Sequence, residues 1–201
     1  WRSALPARII AAERALPETP ASIASITPIK RPAKACTYLL LPPHDLYPQL
    51  LAKTAVTYLG QGNVLLIVPD EKDIATFLSH APVTNVINVG SHLTKSERYR
   101  NYLHIQQATN SVVIGNRSAI LANVPNLAAI IVHRENSENH YEQRSPGWNT
   151  RDVAIIRARQ EKVPLIFTGY GPSSEMALAI EEGRVDAPLG RRRFHLSSFP
   201  P

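Results

Sequence analysis

Short apolar runs that do not alternate with polar residues constrain the fold of this chain more than any other feature. Runs of this length without a period of two are typical of strands buried on both faces. Helical patterns lie between most of them, so the sequence predicts an α/β fold, a parallel sheet flanked by helices. The runs lie at 36–41, 64–68, 86–89, 111–114, 127–132 and 163–167.

The intervening helices carry their own start and stop signals. Asp70 can cap one helix, and Thr94 with Glu97 has the pattern of a capping box at the next. Gly183 follows the last helix and suits its C-terminal cap. In the fourth helix we expect Ile156 to face inward with its apolar neighbours. The predicted helices lie at 46–59, 70–79, 94–108, 150–161 and 173–182.

Two segments flank this alternation. Residues 1–34 contain an amphipathic helix at 3–16 followed by a Pro-rich linker, and the helix is predicted to end a preceding domain or pack beneath the lobe. The lobe itself is predicted to span 35–183, and 184–201 to form a basic connector to an absent second lobe. Four apolar residues share one face of the first helix: Leu5, Ile9, Ala12 and Leu16.

Composition excludes several classes of protein. The chain has 201 residues, 44% of them apolar, and a formal net charge of +6, which permits an acidic partner without demanding one. A single cysteine excludes a disulfide framework and a cysteine-built zinc site within the chain. No apolar run approaches the roughly 18 residues that a membrane span needs. We therefore expect a cytoplasmic fragment of a longer protein, with no membrane partner.

The segments after the strands lack the residues of a nucleotide site. Ligands of an open parallel sheet bind at the carboxyl ends of its strands. A phosphate loop there needs glycines, a lysine and a Ser/Thr, but Pro42, Pro43 and His44 follow the first strand. His133 and Arg134 follow the fifth, where a nucleotide motor needs acidic residues for magnesium.

Several motifs follow one another in a characteristic order, led by the run from Val112 to Ala122 and by Pro125-Asn126-Leu127 after it. This run carries most of a resemblance to the first helicase lobe of the PriA family of bacterial replication-restart proteins. It is supported in order along the chain by Val64 to Pro69, Ile130 to Val132, Tyr141-Glu142-Gln143, Thr150 to Ala154, and Arg157-Ala158. The resemblance covers about residues 35–183 and implies a P-loop-NTPase, RecA-like lobe.

Departures from the family fall on its motor motifs, as in the actinobacterial branch with decayed motifs. Tyr47 and Pro48 stand at the phosphate-loop Lys and Thr, and residues 168–172 replace the coupling motif. His133 and Asn136 stand at the ends of the acidic box. The degenerate nucleotide site is accordingly predicted to comprise His44, Tyr47, Pro48, His133, Arg134, Glu135 and Asn136.

The resemblance implies a fragment that binds branched or forked DNA and scaffolds primosome assembly, with primosome and single-strand-binding proteins as partners. Family members use ATP, magnesium and zinc. The residues for them are missing here, so we expect no cofactor, no metal and no catalytic residue in this chain. Three alternatives stay open: an active ATP-dependent helicase with an unorthodox nucleotide site, a protein-interaction module without DNA contact, and a small-molecule enzyme on the same fold.

Two basic groups are candidate DNA contacts. Arg117 and Ser118 follow a strand end and could bind phosphate, although local pairing of Arg117 with a carboxylate is the alternative. Arg191, Arg192 and Arg193 form a cationic run that could bind phosphate or simply be solvated. His133 and His140 could suggest a metal site, but we expect both to be solvated loop residues.

Overall fold

The elements follow the order along the chain that the sequence predicts. The structure, a computed structural model, describes residues 36–41 and 47–187. Its strands are β1 (Cys36–Leu40), β2 (Asn63–Ile67), β3 (Val86–Asn88), β4 (Val112–Gly115), β5 (Leu127–His133), β6 (Tyr141–Glu142), β7 (Trp148–Asn149) and β8 (Leu165–Gly169). Its helices are α1 (Tyr47–Leu59), α2 (Glu71–His80), α3 (Lys95–Gln106), α4 (Thr150–Glu161) and α5 (Ser174–Glu181), and 3-10 turns lie at Arg117–Leu121 and Glu138–His140.

The main sheet is parallel, and its strand order is β1-β8-β5-β2-β4-β3. Each predicted run overlaps one of these six strands. The sequence gives no strand order, because pairing depends on contacts between distant segments. It also misses the small antiparallel pair β6–β7, whose strands are two residues each.

Two apolar layers cover the faces of this sheet. On one face α1 and α2 pack through Leu51, Ala55 and Phe77, and on the other lie α3, α4 and α5. All five residues of β2 are buried, as expected for a central strand covered on both sides. Because both faces of the strands are buried, their sequences are apolar without alternating polar residues.

The predicted helix signals are confirmed, with one error. Asp70 accepts from the backbone N–H of Asp73, and Thr94 and Glu97 form the capping box. Gly183, beyond α5, has a φ of +72°, which favours glycine. The expected inward orientation of Ile156 is wrong, because it is 56% exposed. The face of α4 that meets the core is spaced by four, through Thr150, Ala154 and Ala158.

A buried amide organises the amino ends of the central strands. The Asn63 side chain is fully buried and donates to the carbonyls of Ala108 (3.0 Å) and Pro125 (2.6 Å). Its Oδ1 accepts from the N–H of Ser111 at 2.9 Å. These three bonds join the start of β2 to the segments that lead into β4 and β5.

The lobe continues past the predicted boundary at Gly183. Val185 is buried in the core, and Asp186 exchanges backbone hydrogen bonds with Cys36 and Tyr38 of β1. Residues 1–34 and the remainder of the connector lie outside the described residues. Among residues 36–41 and 47–187, no helix is long and apolar enough to cross a membrane.

Candidate functional site

The carboxyl ends of β1, β5 and β8 meet at one edge of the sheet, which we call the carboxyl edge. β1 ends at Leu40, β5 at His133 and β8 at Gly169, and β8 pairs with both other strands. Residues that follow these strands therefore come together with the starts of α1 and α2. Residues 42–46, which include His44, lie outside the described residues.

An aromatic stack fills the centre of this edge. The imidazole of His133 lies parallel to the Tyr47 ring, with centroids 5.3 Å apart, and the Tyr170 ring meets it edge-on at 6.1 Å. Its Nδ1 lies 3.0 Å from the hydroxyl of Thr168. Burial, reinforced by the neighbouring Arg134 charge, lowers the pKa of His133 to about 3. The ring is therefore neutral near pH 7 and packs as an aromatic side chain.

An ion cluster borders the stack. The Arg134 guanidinium pairs with Asp73 and, at 3.3 Å, with Asp70. Asp73 also accepts from the Tyr47 hydroxyl at 3.2 Å. Burial raises the pKa of Asp73, although the Arg134 charge opposes this effect. Two carboxylates thus share one cation, so the three side chains carry a formal net charge of −1.

Glu135 is a buried anchor. Its carboxylate accepts from the backbone N–H of Ser173 at 2.7 Å and from the Ser173 hydroxyl at 3.0 Å. Arg151 lies 3.8 Å from the same carboxylate. Since Ser173 caps α5, Glu135 ties the segment after β5 to the start of that helix. Asn136, the next residue, is exposed.

Pro48 lies in the first turn of α1 and is buried. A proline is tolerated there because first-turn N–H groups have no partner within the helix. The same free N–H groups are what a helix start offers to a phosphate, so Pro48 removes one possible donor.

The two histidines of the predicted loop are buried, so the expectation that they are solvated is wrong. Neither His133 nor His140 has measurable exposure. His140 Nε2 lies 2.8 Å from the carbonyl of His133, and the Thr150 hydroxyl donates to the carbonyl of His140 at 3.2 Å. Burial lowers the pKa of His140 as well. Their seven-residue spacing reflects packing of a 3-10 turn under the strand end.

Arg117 and Ser118 lie on the 3-10 turn after β4. The Arg117 guanidinium pairs with Glu142 at 3.0 Å and donates to the carbonyl of Asn139 at 3.2 Å. Ser118 is exposed. In this structure Arg117 makes the local pairing that the sequence left as the alternative to phosphate contact. Arg191, Arg192 and Arg193 lie outside the described residues.

The described residues do not fit a magnesium–nucleotide complex. Magnesium binding needs carboxylate oxygens that are free to coordinate, but Asp70 and Asp73 are engaged by Arg134. Phosphate binding needs an available cation, and Arg134 is engaged by the same two carboxylates. Within residues 36–41 and 47–187, no group of three His, Cys, Asp or Glu side chains could hold a metal ion.

Sequence reasoning places Tyr47, His133 and Arg134 at one site, and the structure brings them together. It misses the partners: Asp70 and Asp73 lie 64 and 61 positions from Arg134. The capping pattern identifies Asp70, but no sequence pattern indicates that Asp73 would face an arginine from another strand. Tyr170 is noticed only as part of an altered motif.

Comparisons with known proteins place this site in context. No protein-family model matches the chain. The replication restart protein PriA of Synechocystis is 33% identical over 122 residues, which cover 58% of this chain and 15% of the relative. The corresponding protein of Buchnera aphidicola is 31% identical over 122 residues, covering 59% and 17%. The probable replication restart protein PriA of Mycobacterium tuberculosis is 29% identical over 146 residues, covering 70% and 22%.

Solved structures confirm the fold class. The C-terminal domain of the DEAD-box protein Dbp5 matches with a TM-score of 0.53 at 12% identity, covering 77% of this chain and 89% of that one. At this identity the likeness shows the fold alone, which is the predicted RecA-like α/β lobe. The chain spans less than a quarter of the length of the curated relatives described above. The predicted resemblance is confirmed: this chain is homologous to a segment of the replication restart proteins named PriA.

Proposed function

We propose that this chain is the lobe of a replication-restart protein that acts on branched DNA as a scaffold, without hydrolysing ATP. Its relatives are named replication restart proteins, which supports the proposed role in replication restart. The carboxyl edge of the sheet supports the absence of a motor. Primosome and single-strand-binding proteins are the proposed partners, and the cytoplasm, where bacterial DNA is replicated, is the proposed location.

The observation that carries this proposal is the filled carboxyl edge. Phosphoryl transfer depends on charges that are aimed at the phosphates and stay available to them. Here the His133 ring is neutral and stacked on Tyr47, and Arg134 is shared by Asp70 and Asp73. A nucleotide would have to break both the stack and the ion cluster before it met a free charge.

DNA contact is proposed at the turn after β4. Ser118 is exposed and Arg117 is partly exposed, so both can reach a phosphate. Arg117 would exchange its pairing with Glu142 for the phosphate, which keeps the guanidinium satisfied in both states. Arg191, Arg192 and Arg193 are proposed to add cationic contacts, and the affinity would then fall steeply with salt.

The first experiment measures fluorescence anisotropy of a labelled DNA fork with this chain across a salt series, with and without Mg–ATP. An unbranched duplex of the same sequence is the control for branch preference. We expect salt-sensitive binding that favours the fork and does not respond to Mg–ATP. Binding that shifts with Mg–ATP would favour an active helicase with an unorthodox site. No binding at low salt would favour a protein-interaction module.

A pair of charge variants tests the contact at Arg117. Arg117→Gln is expected to weaken fork binding several-fold and lower the salt slope by about 1, as for one lost phosphate contact. Glu142→Gln should do the reverse and strengthen binding, because it releases Arg117 from its internal partner. Lys53→Gln removes the same charge from the exposed face of α1 and is the matched control. Equal effects of Arg117→Gln and Lys53→Gln would show that Arg117 acts only through the net charge of the chain and makes no specific phosphate contact.

A further inference from the structure

Charged side chains are distributed unequally along the lobe. Between residues 74 and 133 the sequence has four Lys or Arg residues but one acidic residue, Glu97. Residues 135–187 have six Lys or Arg residues and nine acidic residues. The basic stretch includes β3, α3 and β4, and β3 and β4 lie at one end of the strand order. This end of the sheet therefore attracts an anionic partner more strongly than the side formed by α4 and α5.

Two exposed cations of α3 are free to bind such a partner. Neither Lys95 nor Arg100 has a carboxylate within ion-pair distance among the residues that the structure describes. Glu97 is engaged in the capping box, where it accepts from the backbone N–H of Thr94 at 2.9 Å and from its hydroxyl at 2.6 Å. None of the exposed large apolar side chains of the described residues lies between positions 91 and 118. A phosphate backbone fits such a surface better than an apolar protein partner does.

The loop between β3 and α3 is held by a network of hydrogen bonds. The Glu71 carboxylate, at the start of α2, accepts from the backbone N–H of Ser91 at 3.0 Å and from the Ser91 hydroxyl at 2.5 Å, and it contacts the His92 ring. Asn116 Oδ1 shares both Ser91 donors, at 3.1 Å and 3.3 Å. Arg98 donates to the carbonyl of Ser91 at 3.0 Å. The loop is thereby fixed against the segment that follows β4.

This network joins two segments that carry exposed cations. β3 and β4 are neighbouring parallel strands, so the segments that follow them leave the sheet at the same edge. Lys95 lies four residues after Ser91, and Arg117 directly follows Asn116. The contact between Ser91 and Asn116 therefore places the start of α3 beside the turn that carries Arg117 and Ser118.

We propose that the start of α3 and the turn after β4 form one surface that binds the phosphate backbone of DNA. Lys95 contacts a phosphate near the one that Arg117 binds. Glu71 is a positioning residue, which holds the two segments together and does not touch DNA. This inference rests on the proposed function and extends its DNA contact from one segment to two.

A pair of charge variants on α3 tests the contact at Lys95. In the full chain, Lys95→Gln is expected to weaken binding of the labelled DNA fork several-fold and to lower the salt slope by about 1, as for one lost phosphate contact. Arg100→Gln removes the same charge from the same helix, about 140° around its axis, and is the matched control. It should change the affinity and the slope much less than Lys95→Gln does.

The outcomes separate this inference from the proposed function. Equal effects of Lys95→Gln and Arg100→Gln would overturn the inference, because α3 would then act only through net charge. Fork binding that Arg117→Gln weakens and Lys95→Gln leaves unchanged would also overturn it, while the proposed function would stand. No binding by the parent chain at low salt would overturn both.

Two substitutions of Glu71 test its positioning role, since both remove the same negative charge. Attraction by net charge alone predicts that both strengthen DNA binding equally. Positioning predicts that Glu71→Ala weakens binding several-fold, because Ser91 loses the carboxylate that holds it. Glu71→Gln keeps a side-chain oxygen that can accept from Ser91, so it should bind at least as tightly as the parent chain. Equal strengthening by the two variants would overturn the role of Glu71.

Discussion

The two edges of the sheet differ in how completely their buried polar atoms are hydrogen-bonded. At the amino edge, the Asn63 amide is fully buried and meets three partners at 2.6–3.0 Å. At the carboxyl edge, buried polar atoms lack partners among the described residues. These atoms are Tyr38 Oη, Gln49 Oε1, His133 Nε2, Arg134 Nε and His140 Nδ1.

The difference indicates that the amino edge is optimised for stability, whereas the carboxyl edge is not. A buried polar group without a partner costs about 1–3 kcal/mol, so natural cores contain few of them. Their concentration around His133 is what we expect where a ligand site has been filled with side chains that pack well but are incompletely hydrogen-bonded. Ligands of open parallel sheets bind at the carboxyl ends of the strands, and at the amino edge the Asn63 amide is fully hydrogen-bonded.

Asn63→Leu gives the largest expected effect. It removes three buried hydrogen bonds and leaves the carbonyls of Ala108 and Pro125 and the N–H of Ser111 without this partner. At about 1 kcal/mol for each bond, we expect the free energy of unfolding to fall by about 3 kcal/mol. Urea denaturation followed by circular dichroism measures this loss.

The matching change at the other edge is His133→Phe. It keeps the stack on Tyr47 and removes the unpartnered Nε2, but it also removes the bond between Nδ1 and the Thr168 hydroxyl. At about 1 kcal/mol for that one bond, we expect a loss of about 1 kcal/mol at pH 7. Equal losses at the two edges would break the comparison, because the carboxyl edge would then be as strongly optimised as the amino edge.

The pH dependence of stability is expected to give the second-largest effect, after Asn63→Leu. His133 binds a proton in the unfolded chain near its ordinary pKa of 6.5, but in the folded chain near 3. Its contribution is therefore complete above pH 6.5 and is lost as the pH falls from 6.5 toward 3. Between pH 6.5 and 5 the loss is about 2 kcal/mol at 1.36 kcal/mol for each unit.

Denaturation midpoints at pH 7 and pH 5 check this prediction. His133→Phe should flatten the dependence, although His140, whose pKa burial also lowers, keeps part of it. His80→Phe, which removes an exposed imidazole at the end of α2, is the matched control. A parent slope retained in His133→Phe would show that the stacked ring does not set the acid sensitivity of the fold.

Sequence reasoning identifies the fold because its signals are local. Buried strands give apolar runs, and Asp70 and Thr94 lie within three residues of the groups that they cap. The site is only partly predictable, since its contacts join distant segments. Arg134 can be placed after a strand from the sequence, but its two carboxylates come from the start of α2. His140 resembles a loop residue in the sequence because the 3-10 turn that contains it has only three residues and leaves no periodic pattern.

The smallest effect is the coupling between Glu135 and Ser173, whose two hydrogen bonds also lie at the carboxyl edge. Ser173→Ala removes the cap of α5 and one of the two bonds to Glu135, and we expect a loss of about 1 kcal/mol. Glu135→Gln should cost a similar amount, because the amide cannot balance the Arg151 charge. The double variant should lose less than the sum, with a coupling of about 0.5 kcal/mol or more. Additive losses would mean that Glu135 and Ser173 are not coupled. The link between β5 and α5 would then rest on packing, and not on this contact.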